Sequence, residues 1–300
     1  MGRQVLSLER LCDLYFELSN EERLGILYRL GEGGLNVTGV ARELGMTTQE
    51  CSRHLSRLSE AGLVERSPEG LYGLTQYGRL SLRLVPGQRF VAEHREYFNF
   101  HTLDGLPPEF VCRIGELEGS DPVSDVMVTF SLVESLFKEA EEYILMIHDQ
   151  YLLNILPLGV EALRRGVEFR SLEPIKKAPG RSLDYARPQY VGEEDEEYFL
   201  EAWLDGRIGA RFSDAIGVYL YVSEKEAIVA FPLADGSFDY LGFASRDEAV
   251  LGFCHDLFEF FWGRGRRGRG SRRRTRGGGR TTGGSLSNRG RNTDVRGRFR

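Results

Sequence analysis

The sequence predicts a multidomain chain: an α+β unit at the N-terminus, an α/β unit with a mixed sheet behind it, and a disordered Arg/Gly-rich tail. Three observations carry that expectation. Apolar residues recur at helical spacing through the first 85 residues, interrupted once by two short apolar segments around Ser67-Pro68-Glu69-Gly70. Beyond residue 126, continuous apolar runs alternate with amphipathic stretches, as strands do with covering helices. From Gly263 the periodicity stops and Gly, Arg, Ser and Thr take over, a composition too poor in apolar surface to fold alone. A length of 300 residues suits two domains and an appendage.

In chain order, residues 5–18 place Leu8, Leu11, Leu14, Tyr15 and Leu18 on a helix. Asn20, followed by Glu21 and Glu22, caps a second helix carrying Leu24, Leu27, Tyr28 and Leu30. After Gly31, Gly33 and Gly34, a short helix with Thr38, Val40, Ala41 and Leu44 ends at Gly45. Thr47 and Glu50 then form a T-x-x-E capping box, starting a new helix two residues after the previous one stops. Cys51, Leu55 and Leu58 make its apolar stripe, so Gln49, Ser52, Arg53, Ser56 and Arg57 fall on the opposite half. Leu63 to Arg66 and Leu71 to Leu74 read as two strands joined by a tight turn. Thr75 caps a last helix with Tyr77, Leu80 and Leu84, which Pro86-Gly87 is expected to close. Helix, tight turn, polar-faced helix and hairpin together describe a winged helix-turn-helix, whose polar-faced helix enters the DNA major groove.

The run TGVARELGMTTQECSRHLSRLSEAGLVERSPEGLYGLTQYG resembles the ArsR-like regulators of archaea and bacteria over about residues 15–85. Metal sensing in that family needs paired cysteines; Cys12 and Cys51 stand alone here, and no metal or cofactor is expected. VAEHREYFNFHTLDGLPPEFVCRIGELEGSDPV, AEEYILMIHDQ and EKEAIVAFPLADGSFDYLGFASRDEAVLGFCHDLFEFFWGRG resemble the archaeal regulators with a methanogenesis-regulator (FilR) type sensor domain. That resemblance, over about residues 90–263, implies transcriptional control in an archaeon.

The resulting organisation is a DNA-binding domain over 1–86, a helical linker over 87–126, a sensor and dimerisation domain over 127–263, and the tail over 264–300. In the third segment, Ser131 to Glu142 reads as a helix and YILMIHD as a strand buried on both faces. A helix with Leu152, Leu156, Val160 and Leu163, then the strand VEFRSLEP, complete a βαβ unit and so a parallel pair. Residues 174–190 read as an irregular loop, and Glu193 to Glu197 as a solvated helix start. Strands follow at Arg207 to Ser213, Ile216 to Val222 and Ala227 to Pro232, and a closing helix from Asp247 to Phe261.

Charge is split along the chain. Fourteen of the 39 Lys and Arg lie from Arg264 onward against one acid, Asp294, leaving 25 basic and 44 acidic side chains in residues 1–263. The body therefore carries −19 and the tail +13. A body so acidic can hold DNA only through a local basic patch placed by the fold, or through the tail. The four cysteines have no metal or disulfide spacing and read as reduced, mostly buried thiols. Without a signal peptide or a long apolar span, the chain is expected in the cytoplasm, away from membranes.

The expected function is that of a sequence-specific transcription regulator binding double-stranded DNA as a homodimer on an inverted repeat, under a small-molecule effector. Gln49, Ser52 and Arg53 are the candidates for base-edge contacts, because amides and guanidinium groups read adenine and guanine bidentately. Thr38, Thr47, Ser56 and Arg57 are the phosphate candidates, Thr48 is a further DNA contact, and Arg66 and Tyr72 are the contacts of the hairpin. His148, at a strand end, and Arg170 and Arg187 are candidate effector contacts. The α/β pattern also resembles phospholipase-D-like folds, whose chemistry needs H-x-K-x4-D; His148-Asp149-Gln150 has no lysine there, and no catalytic residue is assigned. Two alternatives stand: a nucleic-acid (RNA) binder without sequence preference, driven by the tail, and a phosphodiesterase-like enzyme on the α/β domain.

Overall fold

The computed structural model describes residues 8–150, 153–175 and 192–267. The N-terminal unit comprises α1 (Glu9–Leu18), α2 (Glu21–Glu32), α3 (Val37–Leu44), α4 (Thr48–Glu60), the hairpin β1 (Val64–Arg66) and β2 (Tyr72–Leu74), and α5 (Gln76–Arg83). Local chemistry sets the joints. Asn20 accepts from the Arg23 N–H at 2.9 Å and Asn36 from the Gly39 N–H at 2.8 Å, satisfying amides that a helix start leaves open. Gly45 takes φ +69° after α3, the left-handed cap that lets α4 begin at once. At α4 the capping box is complete in both directions: the Thr47 hydroxyl accepts from the Glu50 N–H, and the Glu50 carboxylate accepts from the Thr47 N–H.

Ile26, Leu27 and Leu30 of α2, Val40 and Ala41 of α3, and Cys51, Leu55 and Leu58 of α4 share one core with Leu63, Val64 and Leu74. In the hairpin Val64 faces Leu74 and Arg66 faces Tyr72, and a further bridge from Leu35 to Tyr72 ties the wing to the segment before α3. Gly78 is sterically required, because a Cβ there would sit 2.0 Å from the Leu63 carbonyl oxygen.

The apolar positions of α5 depart from expectation. Tyr77, Leu80 and Leu84 are 48, 60 and 74% exposed, whereas Gly78 and Ser81 face the domain. Nor does Pro86-Gly87 end the helical run. It opens α6 (Val85–Glu93), because a proline in a first helical turn needs no N–H partner. The stretch expected to be a linker is helical at α6, α7 (Arg95–Phe98) and α8 (Pro108–Cys112), followed by a 3₁₀ turn at Ile114–Gly119 and a strand β3 (Asp121–Val123). It is built into the second domain: Phe90, Leu106, Phe110, Ile114 and Leu117 share a core with Leu145, Ile147, Val218, Leu220, Phe243, Phe253 and Leu257.

That domain continues with α9 (Val126–Glu139), β4 (Tyr143–Ile147), α10 (Leu156–Arg165), β5 (Glu168–Pro174), α11 (Glu193–Leu204), β6 (Ile208–Ser213), β7 (Tyr219–Ser223), β8 (Ala227–Ala230), β9 (Gly242–Ser245), α12 (Glu248–Arg264) and β10 (Arg266–Arg267). Its strands form one sheet in the order β10-β6-β5-β4-β7-β8-β9-β3. β4, β5 and β6 run parallel and the remaining pairs antiparallel, so the sheet is mixed, with β4-α10-β5 the predicted crossover unit. Strand alternation divides the core. Ile144, Met146, Tyr219 and Tyr221 join Leu136 and Phe137 of α9 and Ala162 of α10 on one face; Leu145, Ile147, Leu220 and Val222 meet α12 and the α6–α8 region on the other.

The short strands β3, β9 and β10 lie outside the expected set. β3 contains Pro122, which has no N–H to donate, and it occupies the sheet edge, where proline is tolerated. The tail begins later than expected: α12 runs to Arg264, and Arg266 and Arg267 pair with Phe212 and Arg211 of β6. The remainder of the expected disordered tail, 268–300, lies outside the described residues, as does 176–191, most of the expected 174–190 loop. Of the four thiols, Cys51 and Cys254 are buried and Cys12 and Cys112 exposed, fewer buried than expected.

Candidate nucleic-acid interface

Gln49, Ser52, Arg53 and Ser56 lie at i, i+3, i+4 and i+7 of α4 and are all exposed, opposite the buried Cys51, Leu55 and Leu58. Thr38 on α3 and Thr47 and Thr48 at the start of α4 are exposed as well. Arg53 makes no hydrogen bond or ion pair among the described residues, leaving its guanidinium free to meet an external acceptor. Ser56 is within 3.2 Å of the Glu60 carboxylate. The Thr47 hydroxyl is engaged in the cap, donating to Glu50 at 2.7 Å, and this bond holds the Glu50 carboxyl below the usual carboxylate range.

Arg57 is placed otherwise than expected. Its guanidinium donates to Glu17 at 2.7 Å and lies 5.1 Å from the Phe16 ring centroid, drawn back onto α1. The buried Glu17 also pairs with Arg23 at 2.9 Å, so two cations neutralise one carboxylate that has little access to water. Sequence spacing carries no signal for this clamp, because Glu17 and Arg57 are forty residues apart. On the wing, Arg66 is exposed with its guanidinium 5.7 Å from the Tyr72 ring centroid, and Tyr72 is half-buried by its bridge to Leu35. Arg42, exposed on α3, which packs on α4, is a cation that the sequence reading did not select.

The effector candidates are not brought together. His148 is buried just beyond β4, its Nε2 at 3.0 Å from the Ser171 hydroxyl, which in turn donates to the buried Glu173 carboxylate at 2.9 Å. These residues share the sheet face of Tyr221, whose ring stacks near that of His148. Arg170 points to the opposite face, paired with Glu259 at 2.6 Å and lying over Phe258 and Trp262 of α12. Arg187 lies outside the described residues. Tyr219 is buried beside Tyr221, their ring centroids 5.2 Å apart, and burial raises the pKa of its hydroxyl strongly. Among the described residues no group of three or more His, Cys, Asp or Glu could hold a metal ion, and no helix is long and apolar enough to cross a membrane.

Residues 18–67 match the family model described as a helix-turn-helix domain, which covers α2 to the start of the wing. No curated protein matches the chain. Among solved structures, the chain is similar to TrmBL2, an archaeal chromatin protein, at 16% identity over 84% of this chain and 95% of that one, with a TM-score of 0.39. It is also similar to the homodimeric winged helix-turn-helix DNA-binding domain of a possible ArsR-family regulator from Mycobacterium bovis, at 30% identity over 31% of this chain and 92% of that one (TM-score 0.27). A third likeness is to Nuc, a phospholipase D family member from Salmonella typhimurium, at 14% identity over 47% of this chain and 90% of that one (TM-score 0.33). All three superpose too loosely to define a shared fold.

Proposed function

From a chain that carries a helix-turn-helix domain over residues 18–67, we propose a sequence-specific DNA-binding transcription regulator that acts as a homodimer under a small-molecule effector. The observation that carries this reading is the exposed stripe Gln49, Ser52, Arg53 and Ser56 on a helix whose start is fixed by a two-way capping box. Rigidity at that start matters because base readout needs side chains held in register with the groove. Gln49, Ser52 and Arg53 read base edges; Thr38, Thr48 and Ser56, with Arg42, contact the backbone, and Arg66 reaches it from the wing.

Dimerisation is supported by the apolar side chains left outside. Leu8, which precedes α1, Leu11, Tyr15 and Phe16 on α1, Tyr77 and Leu80 on α5, and Leu84, which follows α5, are each more than two-fifths exposed. Phe16 and Tyr77 line one groove of about 790 Å³, so the two faces adjoin. A second copy covering them would remove that surface from water and set two recognition helices on one side of the duplex. The α/β domain we read as a sensor of the methanogenesis-regulator (FilR) type and not as an enzyme, supported by the lysine missing after His148. Hydroxyl-radical footprinting tests the arrangement. Two protected tracts about 10 base pairs apart, or a multiple of that, are expected; uniform protection without boundaries would favour the tail-driven alternative.

A further inference from the structure

A groove of about 760 Å³ opens where α6 and α7 meet the β9–β3 edge of the sheet. That volume suits a small organic ligand. The walls are largely aromatic and apolar: Tyr97, Phe100, Pro122, Leu241 and Phe243 line it. Phe100 is 69% exposed at the rim, a large apolar side chain with nothing covering it.

The polar groups of this groove are not equally available. The Tyr97 hydroxyl is consumed, accepting from the Phe231 N–H at 2.9 Å and lying 3.1 Å from the Leu241 carbonyl oxygen. His101 is buried, its ring stacked on Tyr97 with centroids 3.7 Å apart, its Nδ1 at 2.8 Å from the Tyr97 carbonyl oxygen and its Nε2 at 3.1 Å from Asp239. Asp239 is different. His101 from behind and the Leu241 N–H at 3.1 Å fix its carboxylate, yet 31% of the side chain stays exposed. Such a group retains acceptor sites for an external donor. Glu93 and Glu96 also line the groove, against the single guanidinium of Arg95, so an anionic ligand meets repulsion there.

Backbone strain marks the same place. Tyr240, the residue after Asp239, holds φ +63°, the one non-glycine positive φ among the described residues. Two contacts maintain it: the Thr129 hydroxyl donates to the Tyr240 carbonyl at 2.7 Å, and the Tyr240 hydroxyl donates to Asp149 at 3.1 Å, beside His148. Strained residues over-determined in this way are typical of ligand clamps.

We infer that this groove binds a small aromatic ammonium compound, with the charged nitrogen on the Asp239 carboxylate and the ring against Phe100, Pro122 and Leu241. A charge-assisted hydrogen bond to Asp239 and packing against the exposed Phe100 ring are the recognising interactions. The groove meets α6 only at Ala92 and Glu93, its far end, so an effect of the ligand on the helix-turn-helix domain would have to pass along α6 to α5. That effector role rests on the DNA-binding reading; the binding itself does not.

The test uses the full chain without DNA, with tryptamine as the probe and indole-3-propionate as its anionic counterpart. Histidine ring signals are followed by NMR and affinity by calorimetry. Saturable one-to-one binding of tryptamine that shifts His94 and His101 is expected. Asp239→Asn should weaken it by about tenfold or more, and so should Phe100→Ala, which removes an exposed side chain and leaves the fold intact. Absence of saturable binding, equal binding of indole-3-propionate, or unchanged affinity in a folded variant of either residue would overturn the assignment. A DNA-binding measurement on the same sample reports separately on the regulator reading.

Discussion

At residue scale the account turns on the start of α4. Thr47 and Glu50 satisfy each other's open amides, so Thr47→Ala should lower stability by about 1 kcal/mol and blunt DNA affinity with it, measured by denaturant melts and titration. The Glu50 carboxyl is held low by its bonds from Thr47. A depressed folded pKa contributes stability above the unfolded carboxylate range and loses it as pH falls through the folded value. Glu50→Gln can still accept from the Thr47 N–H but cannot titrate. The melting-temperature gap between parent and Glu50→Gln should therefore narrow on acidification; a gap constant with pH would remove the cap from the explanation. This pair was legible in the sequence because a T-x-x-E spacing is local. The clamp of Arg57 by Glu17 and Phe16 was not, since its partners meet only when α1 docks on α4.

At the scale of elements, the sequence patterns located the major helices and strands because each has its own period. Three strands escaped for physical reasons. β9 is four residues of Gly-Phe-Ala-Ser with no sustained apolar run, β3 contains a proline, and β10 is an Arg-Arg pair held by β6 and followed by more arginine. Pairing to neighbours created them, and pairing is not written in a single segment. α5 shows the converse. Its apolar period is real, but Leu80 and Leu84 face outward because Gly78 must pack on the Leu63 carbonyl, and the pattern alone cannot say which face meets its own domain. That outward face predicts its own test. Leu80→Glu together with Leu84→Glu should shift sedimentation from dimer to monomer and weaken binding to a two-half-site DNA, while leaving the melting of the helix-turn-helix core nearly unchanged. A persistent dimer would move the interface elsewhere.

At the scale of the whole molecule, an acidic body of −19 and an Arg-rich tail of +13 divide the electrostatic work. Truncation after Arg267 removes eleven arginines while keeping β10 and its pairing with β6. The truncated chain should keep its sequence preference and show a shallower dependence of affinity on salt, by about 0.9 in the log–log slope for each phosphate contact the tail made. Loss of nearly all binding would instead identify the tail as the main nucleic-acid element. The order of a helix-turn-helix unit and an α/β unit was readable from composition and period, but the merging of residues 87–126 into the second core was not. Phe90, Leu106 and Phe110 carry no sign in sequence of the sheet on which they pack. The central claim, that α4 reads DNA sequence, is tested most directly by selecting binding sites from a random DNA pool with the full-length protein and with Arg53→Ala, at near-physiological salt. The account predicts one shared inverted repeat for the parent protein and its loss with Arg53→Ala; binding that enriches no motif and simply fades as salt rises would contradict it.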